Sequence, residues 1–150
     1  MIQDEIVTYE VAKLAKEKGF PQDVDRWMGE LHSAMNSNYY NHKGELNGDC
    51  IEIIKRKIQK EEVPKEFELV AAPTQSLLQR WLREEKGIHI SIDRDLDFND
   101  KDYIYEWQAS HKKELGDGCY RIITASDMEF YPTYEETLNA ALKYALENLV

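Results

Sequence analysis

The sequence predicts an α+β fold: an antiparallel three- to four-stranded meander packed on helices. Its core is an α-β-β-β-α order from about residue 74, with additional helices before it. Three observations carry this. Between Pro73 and Asp93 the apolar spacing changes from helical, at Leu77, Leu78, Trp81 and Leu82, to strict alternation at Ile88, Ile90 and Ile92. Those two periods belong to a helix face and a strand face. Tyr103, Tyr105, Trp107 and Ala109 alternate again after the turn signal Asn99-Asp100. From Leu138 to Leu149 the apolar residues return to helical spacing.

In chain order, the first helix is capped by Thr8, has Val11, Leu14 and Ala15 on its apolar side, and ends at Gly19 and Pro21. A second helix is expected over about 22–36, on the spacing of Val24, Trp27, Met28, Leu31 and Met35. Asn36 to Gly48 is polar and reads as a loop or short hairpin containing Tyr39-Tyr40. Cys50 to Lys60 reads as a helix lined by Ile51, Ile54 and Ile58, and Phe67 to Ala72 reads as extended. Pro73 and Thr74 suit the start of the next helix, and Gly87 suits the position after its end. The three isoleucines must share a face with Tyr103, Tyr105 and Trp107. That sets Ile92 against Trp107, Ile90 against Ala109 and Ile88 against His111. Lys112 to Gly118 reads as a turn, Cys119 to Thr124 as a third strand, and Met128 to Tyr131 as a short fourth. Thr133-Tyr-Glu-Glu136 is a capping box that opens the last helix.

With 150 residues, 42 % hydrophobic and 11 % aromatic, one ordered globular domain spanning 1–150 is expected. No apolar run is long enough to cross a membrane, and the N-terminus lacks the basic start and apolar centre of a secretory signal, so a cytoplasmic protein is expected. Two cysteines without framework spacing, Cys50 and Cys119, fit that compartment and read as small buried thiols. The net charge is −10, and neither half of the chain is basic: residues 1–72 carry 14 acids and 10 bases, residues 73–150 carry 15 and 9. This argues against generic nucleic-acid or anionic-membrane binding. The pair of N-terminal helices invites a helix-turn-helix reading, but Asp23, Asp25 and Glu30 would face phosphates.

Chemical signals are few. The acidic hairpin from Asp93 to Glu106 places Asp95, Asp97, Asn99 and Glu106 at positions 1, 3, 5 and 12 of a calcium loop. The glycine that such a loop needs at position 6 is Asp100 here, and strands flank it rather than helices. In the expected register Asp97 opposes Asp102 and Asp93 opposes Glu106, like-charge pairs that a cation would relieve. His89 and His111 lie across the hairpin from one another but on opposite faces, and no histidine or cysteine pair has zinc-ligand spacing. No phosphate-binding glycine loop is present. Tyr103, Tyr105 and Trp107 read as core, and Tyr39-Tyr40 as a candidate binding surface. No catalytic or cofactor-binding residue is assigned, and no cofactor is expected.

The α-β-β-β-α order resembles the double-stranded-RNA-binding domain. Where that family carries phosphate-binding lysines this chain has Tyr134, Glu135 and Glu136, with Asn99-Asp100-Lys101 in its histidine-bearing loop. A second resemblance rests on Thr8-Tyr-Glu-Val-Ala-Lys-Leu-Ala-Lys-Glu-Lys-Gly-Phe20, on Ala72 to Arg83 with Ile88-His-Ile90, and on Tyr134-Glu-Glu-Thr-Leu138. These phrases, under half of the chain, resemble small proteins of gut Bacteroidetes, their prophages and other mobile elements, a group without an established activity. That resemblance implies an intracellular accessory role and carries over no site residues. The expected function is therefore non-catalytic binding of another protein, or self-association, through an exposed apolar patch. The alternative is a small metal-dependent protein or enzyme that uses the acidic hairpin with a histidine.

Overall fold

The last helix, α3 (Tyr134–Asn148), begins where the sequence says it should. Thr133 is extended, and its hydroxyl accepts the Glu136 N–H at 3.2 Å. Glu135 and Glu136 stand in the first turn, where the helix dipole favours negative charge. In this computed structural model residues 4–22, 27–28, 56, 59–60, 70–97 and 102–150 are described. They divide into two units, residues 1–5 with 74–150, and residues 6–73.

The larger unit is the predicted α+β core. Helix α2 (Gln75–Glu85) is capped by Thr74, whose hydroxyl accepts the Leu77 N–H at 3.3 Å. Gly87, at φ 66°, turns the chain into the sheet. That sheet is antiparallel, in the order β3 (Ile88–Leu96), β4 (Tyr103–Gly116), β5 (Cys119–Ala125). The register is the one that the isoleucines require: Ile92 opposes Trp107, Ile90 opposes Ala109, and Ile88 opposes His111. Helices α2 and α3 pack on one face, and buried Ile88, Ile90, Trp107 and Ala109 meet buried Leu78, Leu82, Leu138, Leu142 and Leu146 there. Each such leucine contributes about 1.5–3 kcal/mol on burial.

Helix α2 is rotated relative to the expected stripe. Leu78 and Leu82 are fully buried, but Leu77 is 44 % exposed and Trp81 is half-buried. Gln75 is buried in their place, because its amide Nε2 donates to the Glu135 carbonyl at 2.8 Å and ties the starts of α2 and α3 together. Gln79 donates to the Ile90 carbonyl at 3.1 Å, covering part of the outer edge of β3.

Two turns differ from expectation. The link between β4 and β5 is only Asp117-Gly118, with φ 52° and 73°, rather than a loop over 112–118. Positive φ at both central residues matches the right-handed strand twist, so β4 extends to Gly116. The expected fourth strand at 128–131 is a single bridge, Tyr131 to Tyr105. Met128 adopts φ 60°, so the chain loops outward between Ala125 and Tyr131 and rejoins β4 two residues out of step.

The smaller unit contains α1 (Tyr9–Glu17), capped by Thr8 and followed by Gly19 at φ 91°. Val11, Ala12 and Ala15 are buried on it, with Val7 and Phe20. Trp27–Met28 is a strand, β1, antiparallel to β2 (Val70–Ala71), where the sequence indicates a helix over 22–36. Val70 and Ala71 are fully buried, and buried strand backbone requires paired N–H and C=O groups, which outweighs local helical spacing. Ala71 N–H also donates to Gln22 Oε1 at 2.9 Å. Arg56 and Gln59 are helical, in keeping with a helix over 50–60. The Tyr39-Tyr40 pair, His32, His42 and Cys50 lie outside the described residues.

Candidate functional site

Three features of the larger unit are candidates for function. The first is a polar cluster around Trp107, the largest fully buried side chain among the described residues. Its indole Nε1–H donates to Asp127 Oδ2 at 3.0 Å, and the Tyr131 hydroxyl donates to the same oxygen at 2.6 Å. The other carboxylate oxygen accepts the Glu129 N–H at 3.0 Å, a side-chain-to-backbone turn of the kind aspartate favours. Tyr144 of α3 packs against the indole, with ring centroids 5.0 Å apart. Asp127 thus clamps the outward loop to β4 and holds Met128 in its left-handed conformation.

Partial burial opposes the charge on Asp127, yet hydrogen bonds from Tyr131, the Glu129 N–H and Trp107 together bring its carboxyl below the ordinary value of 3.8. Burial, then the hydrogen bond to Asp127 and its charge, push the Tyr131 phenol up to about 12. At neutral pH the proton belongs to tyrosine and the charge to aspartate, so the pair is matched to holding a loop rather than to exchanging protons. The raised phenol value favours the protonated, folded state. Its stabilising contribution is full below pH 10.0 and is lost as pH rises towards about 12. Ultraviolet titration of the nine tyrosines should show a late phase that Tyr131→Phe removes and Asp127→Asn shifts down. An unchanged curve in both variants would contradict the assignment.

The second feature is the acidic hairpin. The register sets Asp93 against Glu106 and Asp95 against Ile104, and the Asp97 N–H donates to the Asp102 carbonyl at 2.8 Å. These carboxylates line the face away from the helices. Asp95 Oδ1 accepts the N–H of its own neighbour Leu96 at 2.8 Å. Among the described residues, no three His, Cys, Asp or Glu side chains converge as a metal ion requires. Asn99 lies outside those residues. His89 is exposed on this face; His111 is half-buried on the other, and its Nδ1 is buried with no hydrogen-bond partner. The register keeps the two histidines apart.

The third feature is aromatic. Trp107 is core as expected, but Tyr105 is half-buried and Tyr103 is 50 % exposed. The reason is length. The 14 residues of β4 extend roughly 46 Å at about 3.3 Å each, whereas the 15 residues of α3 cover only about 22 Å. The sheet outruns its helices. At the β3–β4 end the uncovered part presents Tyr103 opposite Leu96, itself 52 % exposed. The Arg94 guanidinium stacks over Tyr103 at 4.1 Å, and Tyr105 meets Tyr134 edge to face with centroids 6.4 Å apart. Glu135 and Glu136, next to Tyr134 at the start of α3, are exposed, whereas Asp95 and Asp102 lie on the opposite face of the sheet.

Sequence reasoning did not single out Asp127. One acid between two apolar stretches has no periodicity, and its partner Trp107 is 20 positions away. It also placed Cys119 among buried thiols, whereas Cys119 is exposed and free at the start of β5. Among the described residues, no helix is long and apolar enough to cross a membrane. No protein-family model, no curated protein and no solved structure matches the chain.

Proposed function

We propose that the chain is a non-catalytic accessory protein that acts by binding another protein, in the phage or mobile-element setting that the sequence resemblance implies. The observation that carries this reading is the aromatic surface at the β3–β4 end. Leu96, Tyr103, Tyr105 and Tyr134 combine apolar area with hydroxyl tips, the composition enriched at protein interfaces. Glu135 and Glu136 beside Tyr134 favour a partner that presents an apolar or aromatic anchor flanked by lysine or arginine, and they disfavour phosphate. Such a contact weakens with added salt, because its charged rim is solvent-exposed.

The test is affinity capture from the host cell with the wild-type chain and with a Leu96→Ser/Tyr103→Ser variant. Both positions are about half exposed, so the variant keeps its circular dichroism spectrum. A partner bound through this surface should be depleted at least about tenfold in the variant, the loss expected when a central aromatic anchor is removed. Equal capture by both proteins would remove the surface from the reading.

A further inference from the structure

We infer that the loop between Ala125 and Tyr131 encloses a structural water site, where buried water joins the backbone N–H and C=O of Trp107 to the loop. The inference is independent of the aromatic surface and of any partner bound there.

The site follows from the direction in which the backbone of β4 points. Antiparallel strands direct the N–H and C=O of alternate residues to alternate sides. Tyr105 exchanges both backbone bonds with Tyr131, so the odd-numbered residues of β4 face the chain that continues from β5. Ala109, opposite Ala125, has the same parity. Trp107 lies midway between these two pairs, so its N–H and C=O point at the loop and away from Ile92 of β3. Five residues, Ser126 to Phe130, stand there against three of β4, Glu106 to Gln108. A regular ladder would set Asp127 against Trp107, but the two surplus residues carry the loop outward. The Glu129 N–H is turned to the Asp127 carboxylate at 3.0 Å and so is not offered to Trp107.

Among the described residues, no backbone or side-chain group pairs with the Trp107 N–H or C=O on this side. Yet Trp107 is 1 % exposed, so neither group reaches bulk solvent. Buried backbone groups are almost always hydrogen-bonded, to protein or to ordered water. The indole Nε1–H is already satisfied by Asp127, which confines the need to the backbone. The chemistry of the two groups selects the ligand. A donor and an acceptor side by side on one residue require a molecule that both accepts and donates. A metal cation would meet the carbonyl but be repelled by the N–H. An anion would meet the N–H but be opposed by the carbonyl and by the Asp127 carboxylate, which is bonded to the same tryptophan. Water does both, and buried water ordinarily makes about three hydrogen bonds, the third falling to the loop backbone across from Trp107. The loop is thus tied to β4 twice: by Asp127 to the indole, and by water to the main chain.

Two measurements on the full chain test this. A high-resolution crystal structure of the wild type should place a water oxygen about 2.7–3.2 Å from the Trp107 nitrogen or carbonyl oxygen. A protein carbonyl seated on the Trp107 N–H, or a Trp107 backbone bonded to neither protein nor water, would overturn the inference. The second measurement is nuclear magnetic resonance. The wild-type Trp107 amide proton should show an Overhauser effect to water with the sign pattern of a held molecule, and no hydrogen-bond scalar coupling to a protein carbonyl. Deleting Met128 and Glu129 removes the two surplus residues, sets Asp127 against Trp107 and leaves Tyr131 against Tyr105. In that variant the water effect should vanish and a coupling from the Trp107 nitrogen to the Asp127 carbonyl should appear. A wild type that already shows the coupling would overturn the inference, as would a water effect that survives in a variant showing the coupling. The wild-type measurements decide by themselves if the shortened chain does not fold.

Discussion

Trp107→Ala is expected to destabilise the fold by about 3–5 kcal/mol, the usual range for emptying a buried aromatic site. Against a total stability of about 5–15 kcal/mol for an ordinary domain, this is enough to leave much of the protein unfolded at growth temperature. The indole is 1 % exposed, opposes Ile92 across the sheet and packs on Tyr144 of α3, so its removal opens a cavity where sheet and helix meet. Trp107→Phe separates packing from hydrogen bonding. It keeps a ring in the cavity but removes the N–H donor to Asp127, and should cost roughly half as much. Urea unfolding followed by far-ultraviolet circular dichroism measures both. A loss of less than about 1 kcal/mol for the alanine variant would mean that the indole is not in the core.

The second large effect is expected at Asp127. Asp127→Ala leaves the buried Trp107 N–H without an acceptor, frees the Tyr131 hydroxyl and removes the Glu129 backbone contact. An unsatisfied buried donor costs about 1–3 kcal/mol, and bonds to a charged partner are the stronger class, so a loss of about 2–4 kcal/mol is expected. The change has a pH signature. Because the folded carboxyl titrates below 3.8, its contribution is present above that value and is lost as pH falls through the depressed folded value. Wild-type stability should therefore decline below about pH 4 more steeply than that of Asp127→Asn. Parallel acid curves for the two proteins would show that the carboxylate charge is not coupled to folding. A double-mutant cycle with Trp107→Phe should return a coupling of about 0.5–3 kcal/mol, the range for residues in one hydrogen-bonded network.

These effects concentrate on residues whose importance is unevenly legible in the chain. Trp107 declares itself through alternation with Tyr105 and Ala109, and Asp127 declares nothing. The difference is one of period. A strand that buries one face repeats every second residue, so a single phase assignment fixes every pair in the hairpin, including the separation of His89 from His111. A polar side chain that caps a loop acts alone, and its partner is set by the path of the chain. The same holds for the aromatic surface. Alternation puts Tyr103 on the face of Trp107, but only the relative lengths of β4 and α3 decide that one is buried and the other half exposed.

By itself the sequence determined the α+β class, the helix starts at Thr8, Thr74 and Thr133, and the pairing of β3 with β4. Each rests on local hydrogen bonding or on a repeating apolar pattern, which neighbouring residues impose within a few positions. Tertiary structure alone decided the pairing of Trp27–Met28 with Val70–Ala71, the rotation of α2 that buries Gln75, and the Asp127 clamp. In each of these the deciding contact lies between residues far apart in the chain. There the requirement to pair buried backbone and polar groups outweighs local preference.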